Sequence, residues 1–429
     1  MVHMKLTPFR PLFALTVLLI LTWGCSVFRP STTPLNDMSY LYRPDQHSLF
    51  PRYLVFHEEP GTSTVFGHIR TGELLFSQAN VHVQLQAELH VHYRLFETGD
   101  PRILVDSMSF YHYLLKEDSG EDYYLNFRIP AETGKRYMLE VITTDLVRDR
   151  AVQNFILVDK INTYSGQNFF PVHARTGRPY FRHYADSATV LRLISNDPSI
   201  DTVYLSYYST VYPASRPPNL LLPPERVSYL PDTTYAVSLS PEFVLAFPRP
   251  GLYHFRKDTN RMEGFTMARF GPGFPMVEYA GEMIGPLQYF ALPTDYDRLV
   301  SQPNRKLSVD NFWIRIAGNM DVARELIRIY YTRVYFSNYY FTSYKEGWKT
   351  ERGMIYMIYG PPSVLYKTDQ TEEWIYGREG SRDAVRFVFR RDDNPFTRNH
   401  FLLLRSEELV TFWSRAMEAW RSGRIFYID

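Results

Sequence analysis

The sequence predicts a mainly β protein in which two antiparallel β-sandwich domains precede a C-terminal α+β domain. Three observations predict it. Tyr (33) and Phe (30) dominate an aromatic content of 16%, and together with 29 Pro this bias favours pleated, half-buried strands over helix bundles. Residues 81–96, VHVQLQAELHVHYRLF, alternate apolar and polar almost without fault, the period of a strand with one wet face. Near residue 320 the period changes to that of an amphipathic helix. At 429 residues the chain is too long for one ordinary core, so several domains are expected. Lys plus Arg (47) nearly balances Asp plus Glu (46), which removes the basic footprint that a nucleic acid would need.

The first element is an export signal. Lys5 and Arg10 lie before the apolar run LFALTVLLILTWG, which stops at Cys25. That run is about 13 residues, short of the roughly 20 that cross a bilayer as a helix. Cys25 is the single cysteine, so no internal disulfide is open to it. LTWGC, with Gly24 before the thiol, resembles a bacterial lipoprotein signal. The resemblance implies removal of residues 1–24, acylation of Cys25 and a lasting membrane anchor, each buried CH₂ contributing about 0.8 kcal/mol. Ser26 in place of an acidic residue implies the outer membrane, with the body on its periplasmic face or at the cell surface. Residues 25–50 then read as the lipidated Cys and a flexible tether, reaching about 80 Å at roughly 3.3 Å per residue.

Residues 51–161 form the first expected sandwich. After the alternating run come SMSFYHYLL, DYYLNFRI, RYMLEVITTD and VQNFILVDKI, parted by the turn clusters KEDSGED and PAETGK. Residues 162–285 repeat the style without repeating the sequence, through ATVLRLIS, TVYLSYYSTVY, YAVSLS, EFVLAF and GLYHFRK. Within them PASRPPNLLLPPERVSYLP is too rich in proline for a sheet interior and is expected as an extended loop, a stiff connection or a partner-binding segment. Residues 286–429 are expected to be α+β. Val322, Leu326, Tyr330, Val334 and Phe341 form one helical stripe, and Asp321, Arg324, Glu325, Arg328 and Thr332 the opposite one. A last helix starts with Ser406 as its cap and Glu407 and Glu408 in its first turn, with Leu409, Phe412, Trp413, Ala416 and Trp420 facing inward.

Between these helices lies GWKTERGMIYMIYGPP, residues 347–362. Gly347 is expected to end the long helix in the left-handed conformation, with Trp348 folded back on the last turn. Thr350 and Gly353 make the corner, MIYMIY is expected as a strand covered on both faces, and Gly360 with two prolines stops it. Glu351 and Arg352 are expected as a surface pair, with Trp374 and Tyr376 packed beside Trp348. The stretch resembles the signature of the GWxTD-domain proteins. The likeness continues upstream in FWIRIAGNMDVARELIRIYYTRVYFSNYYF and downstream in EEWIYG and FVF, over residues 287–429, about a third of the chain. Glu351 stands where the family name has Asp, which keeps the charge and moves the carboxylate by one methylene. The resemblance implies an exported lipoprotein of Bacteroidetes-type bacteria, and it implies no established activity or cofactor.

Other candidate chemistry is sparse. His90 and His92 sit about 6.6 Å apart along a strand and could share a metal, but His82 is out of their reach and a complete site needs three or four ligands, so solvated sheet-face positions are expected. Asp392, Asp393 and Asn394 lack the spacing of a calcium loop and are expected at a hairpin tip. Glu351, Glu372 and Glu373 could act as acid and base if one cleft held them. No nucleophile elbow, zinc helix, phosphate loop or dinucleotide turn is present in the sequence. No catalytic residue, metal or cofactor is therefore assigned. The leading expectation is a non-enzymatic envelope lipoprotein held by acylated Cys25 and acting as scaffold for an envelope protein partner. The alternatives are glycan or peptidoglycan binding through exposed aromatics, and a carboxylate-dependent hydrolase near Glu351.

Overall fold

A computed structural model describes residues 37–78, 84–99, 102–223 and 227–428. The expected export signal, Cys25 and His82 lie outside the described residues.

Alternation builds the first half. Strands β1 (Arg52–Glu59), β2 (Thr62–Arg70), β3 (Gln86–Glu97), β4 (Ile103–Leu115), β5 (Asp122–Pro130), β6 (Arg136–Asp145) and β7 (Arg150–Asp159) pair antiparallel in two sheets, of order β1-β2-β5 and β4-β3-β6-β7. Ala87, Leu89, Val91, Tyr93 and Leu95 are all buried, since residues two apart on a strand share a face. They share a core with Val65, Ile69, Leu125, Phe127 and Ile129 of the other sheet.

A second pair of sheets follows. Strands β8 (Phe169–His173), β9 (Val190–Ser195), β10 (Thr202–Tyr208), β11 (Thr233–Ser238), β12 (Leu245–Ala246), β13 (Gly251–Arg256) and β14 (Phe265–Arg269) are ordered β12-β9-β8 and β11-β10-β13-β14. Leu191, Leu193, Val203, Leu205, Phe255 and Met267 fill the core between them. The proline-rich segment from Pro213 to Pro231 forms no strand or helix among its described residues.

The C-terminal part sets helices α1 (Ala280–Leu287), α2 (Pro293–Ser301), α3 (Arg305–Ala317), α4 (Met320–Phe341), α5 (Glu351–Tyr359) and α6 (Glu407–Arg421) against a meander of β15 (Val364–Lys367), β16 (Thr371–Tyr376), β17 (Val385–Arg391) and β18 (Phe401–Leu403). Leu409, Phe412, Trp413, Ala416 and Trp420 of α6 face the core as the period requires, although Ser406 at its cap makes no side-chain capping bond. On α4 the stripe of Leu326, Tyr330, Val334 and Phe341 is buried, but Val322 is 39% exposed. Steps of four residues drift by about 40° each around a helix, so the stripe has turned off the core by its first turn.

Two expectations are corrected. MIYMIY is no strand: it belongs to α5, and every one of the nine residues of that helix is buried. A segment apolar on all sides has no period by which a helix can be told from a strand. Residues 37–50 are no free tether either. They form two short 3₁₀ turns, Ser39–Tyr42 and Pro44–Gln46, whose Tyr42 enters the C-terminal core while Leu49 enters the first sandwich. The backbone of Met38 donates to the Leu365 carbonyl at 2.8 Å, and the Asp37 carboxylate accepts from the Leu365 amide at 2.9 Å. No helix among the described residues is long and apolar enough to cross a membrane.

The core assignment is testable by urea denaturation. Trp420→Ala is expected to cost about 3–5 kcal/mol, as loss of a large buried ring does. Val322→Ala should stay within about 0.5 kcal/mol, as at an exposed site.

Candidate functional site

The GWKTERG corner is made by close backbone approach. α4 ends at Phe341, and Gly347–Lys349 form one 3₁₀ turn before α5. Gly347 is not among the glycines at positive φ, which corrects the expected left-handed helix stop. Its need for glycine is steric: an added Cβ would lie 1.9 Å from the Ser337 carbonyl oxygen, and one on Gly353 would lie 1.9 Å from the oxygen of Gly347. Thr350 locks the approach, its hydroxyl donating to the Gly347 carbonyl at 2.7 Å and accepting from the Gly353 amide at 3.0 Å. That second bond caps α5. Gly360 closes the helix at φ 80°, where a Cβ would lie 2.8 Å from the guanidinium of buried Arg333.

Trp348 is half-buried, and its ring covers Gly285 and meets Tyr289 edge-on at 6.3 Å between centroids. Neither expected neighbour is there. Trp374 packs among Tyr42, Phe341 and Phe389, and Tyr376 against Tyr359 and Phe387. Position 348 belongs to the seam between the corner and α1, because its amide is fixed by the Asn338 side chain at 3.1 Å.

Glu351 and Arg352 are no surface pair. They are 3% and 1% exposed, and each is matched to a different partner. Arg352 bonds Glu372 at 2.7 Å and the Asn399 carbonyl at 2.8 Å, with Phe401 lying 4.2 Å across its guanidinium. Glu372 is fully buried and also accepts from Lys367 at 2.6 Å, Tyr42 at 2.9 Å and the Trp374 indole at 3.0 Å. Burial alone would raise its pKa, but the Arg352 and Lys367 charges and these bonds hold it at about 2. Glu351 pairs with Arg405 at 2.7 Å and accepts the Leu403 amide.

The proline-rich loop closes over this second pair. The Ser215 amide donates to the Lys349 carbonyl at 2.8 Å, Lys345 donates to the Pro213 carbonyl at 3.2 Å, and Arg405 to that of Arg216 at 2.7 Å. Beneath it remains a cavity of about 50 Å³, bordered by Glu351, Arg405, Tyr344, Lys345 and His400. Burial and the nearby Lys345 and Arg352 charges push the His400 pKa well down, so the ring stays neutral between Tyr344 at 3.0 Å and Ser343 at 3.1 Å.

The fold does not gather the three carboxylates. Glu351 alone borders the small cavity, Glu372 is enclosed with Arg352, and Glu373 is paired with Arg386 at 3.0 Å. His90 and His92 stack at 6.3 Å between centroids, His92 bonding Ser109 at 2.9 Å, and no group of three or more metal-binding side chains occurs among the described residues. Asp392, Asp393 and Asn394 lie in the β17–β18 connection, where Asn394 accepts the amides of Phe396 and Thr397. Sequence reasoning missed Tyr42, Lys367, Asn399 and Arg405. Lys367 stands opposite Glu372 in the β15–β16 register, so the short hairpin YKTDQTEEW did carry a local signal for it. Tyr42 is 330 residues from its partner and had none.

Two outcomes are expected. Gly353→Ala should destabilise the fold by about 1–3 kcal/mol or more in chemical denaturation, while Gly61→Ala, with open space around it, should stay near neutral. The depressed Glu372 pKa contributes stability that is full above its unfolded value of about 4.3 and is lost as pH falls toward 2. Melting curves taken over that window should fall more steeply for the unaltered chain than for Glu372→Gln.

Comparison with known proteins adds the following. No curated protein matches the chain. A solved structure of β-glucuronidase from Bacteroides uniformis is 15% identical at a TM-score of 0.17, covering 28% of this chain and 14% of that one. Bacteroides uniformis β-glucuronidase 2 covalently bound to cyclophellitol-6-carboxylate aziridine is 14% identical at 0.18, with the same coverage. The chain thus spans about 14% of the length of these enzymes, and at such scores neither likeness bears on its fold or chemistry. The family model of the GWxTD domain matches residues 251–422. The match starts at β13, earlier than the resemblance over 287–429, and takes in β13 and β14 with the whole corner, so this chain carries a GWxTD domain.

Proposed function

We propose that the chain is a non-enzymatic, lipid-anchored scaffold of the bacterial outer membrane that receives a protein partner along the edge of β4. One observation carries the reading. β4 is a 13-residue edge strand with no lysine, arginine or proline and with Asp106 and His112 as its acidic and basic residues, and Ile103, Leu104, Val105, Met108, Tyr111 and Tyr113 are all exposed on it. Edge strands of soluble proteins are normally blunted by lysine, proline, bulges or short length, because an open edge templates pairing with another chain; β4 has one irregularity, at Val105, where its register with β3 shifts, and from Asp106 to Leu115 it pairs without interruption. A long apolar edge suits the addition of a partner's extended strand, whose backbone supplies affinity and whose alternate side chains supply specificity. The polar side chains of the corner support the non-enzymatic half, since Thr350, Glu351 and Arg352 are all engaged in bonds within the chain.

Acylation at Cys25 would hold this surface near a bilayer. The eleven residues from 26 to 36 bridge at most roughly 36 Å, at about 3.3 Å each. The lipid itself is read by mass spectrometry of the membrane-extracted protein, which should show residue 25 diacylated or triacylated at the new N-terminus.

The partner surface is tested by placing a photo-crosslinking amino acid at Val105 or Tyr111 of the full-length protein in its native envelope, with Thr332 on the exposed face of α4 as control. One discrete crosslinked protein is expected from the two β4 positions, absent at Thr332 and lost from the Tyr111 probe when Val105→Lys and Tyr113→Lys are combined. Equal crosslinking at all three positions, or none at β4, would overturn the reading.

A further inference from the structure

A large cavity lies away from the GWxTD corner. It is an open cleft of about 860 Å³ between the ends of β2 and β5 and the segment that leads into β9. Its size is that of a ligand site. One wall carries Arg70, in register with Asp122, and His68, in register with Tyr124; the other carries Phe181, Arg182, Asp186 and Thr189. Arg52 and Lys116 complete the lining cations.

Charge sorting within the cleft is uneven. None of Arg52, Arg70, Lys116 and Arg182 forms an ion pair among the described residues. Two of the three lining acids are already matched. Asp122 accepts from His68 at 2.8 Å, and Asp186 accepts from the Thr189 hydroxyl at 2.7 Å and the Ala188 amide at 2.9 Å. Glu121 is the third. His173 in the lining has its pKa lowered first by burial and then by Arg182 of the lining and by Arg175 and Arg178 outside it, against an opposing effect of Asp122.

Ring surfaces stand beside these cations. Phe181 stacks on His68 at 5.4 Å and lies 6.2 Å from Tyr124, over one face of whose ring the Arg178 guanidinium sits at 5.1 Å; all three rings are only partly buried. Half-exposed rings offer a flat apolar face, while Arg and carboxylate groups around them supply donors and acceptors. A polyphosphate would set concentrated negative charge against Glu121 and Asp186. A ligand with dispersed acidic groups and many hydroxyls suits the same lining, since the arginines take the acid and Glu121 accepts from hydroxyls.

We propose that this cleft binds an acidic oligosaccharide, with its carboxylate or sulfate groups on Arg70 and Arg182 and a sugar face on the Tyr124–Phe181 pair. The site is separate from the β4 edge, so either assignment can fail without the other.

Calorimetric titration of the full chain tests it with four probes: an oligogalacturonate hexamer, a chondroitin sulfate hexasaccharide, neutral maltohexaose and inorganic sulfate. At least one acidic hexamer is expected to bind and to weaken as salt rises through the range that screens surface charge. Comparison of the two acidic hexamers tells carboxylate from sulfate as the recognised group. Arg70→Ala and Arg182→Ala should each weaken binding about tenfold, and Tyr124→Ala by a similar factor with less change in salt dependence. Arg70 is exposed, so its variant should keep the melting temperature and any loss of affinity is read in a folded protein. Maltohexaose binding as well as the acidic hexamers, inorganic sulfate displacing them at equal concentration, unaltered affinity in the Arg variants, or no acidic hexamer bound would each overturn the assignment.

Discussion

A single buried carboxylate holds the C-terminal part together. An ionised group taken out of water is costly unless every oxygen finds a strong donor, and Glu372 finds four: Arg352, Lys367, Tyr42 and Trp374. Those donors come from α5, β15, the N-terminal strap and β16 itself. Arg352 extends the set through Asn399, whose side chain bonds the Tyr340 and Thr342 carbonyls at the end of α4. Elements that meet at an ionised group in a dry interior can shift only together, because any one of them leaving strands a charge. The network thus specifies how helix, sheet and strap are placed, whatever net stability it adds.

The corner meets a different constraint. Gly347 and Gly353 let three backbone segments approach within distances that no side chain permits, and Thr350 bridges them. That approach turns the chain from α4 into α5 and delivers Glu351 and Arg352 to opposite jobs one residue apart. Glu351 ties the corner to Arg405 and to the amide of Leu403 at the end of β18, and Arg352 ties it to β16. With Glu in place of Asp at 351, the side chain has one more methylene with which to reach across to Leu403.

The strands were legible because their wet and dry faces alternate. Ala87 to Leu95 announce β3, and Leu409 to Trp420 announce α6, through periods that burial itself imposes. Where burial surrounds a segment, the period vanishes, and α5 was misread for that reason. Arg352 was misread for another: charged residues are placed on the surface by default, and only a partner far along the chain overrides it. The importance of Gly347, Thr350 and Gly353 was visible in the motif, while the geometry that requires them was not. A steric need between segments leaves no local trace beyond the glycine itself.

The strap of residues 37–50 ties the start of this molecule to its end. Tyr42 and Glu372 meet across 330 positions, so their bond closes a loop over most of the polypeptide, and closing so long a loop is slow and entropically costly. Tyr42 lies near the start of the chain and β16 near its end. A fragment cut to the matched boundaries, 251–422, would lack that phenol and hold a void beside Glu372, so excision along family limits yields an unfinished interior.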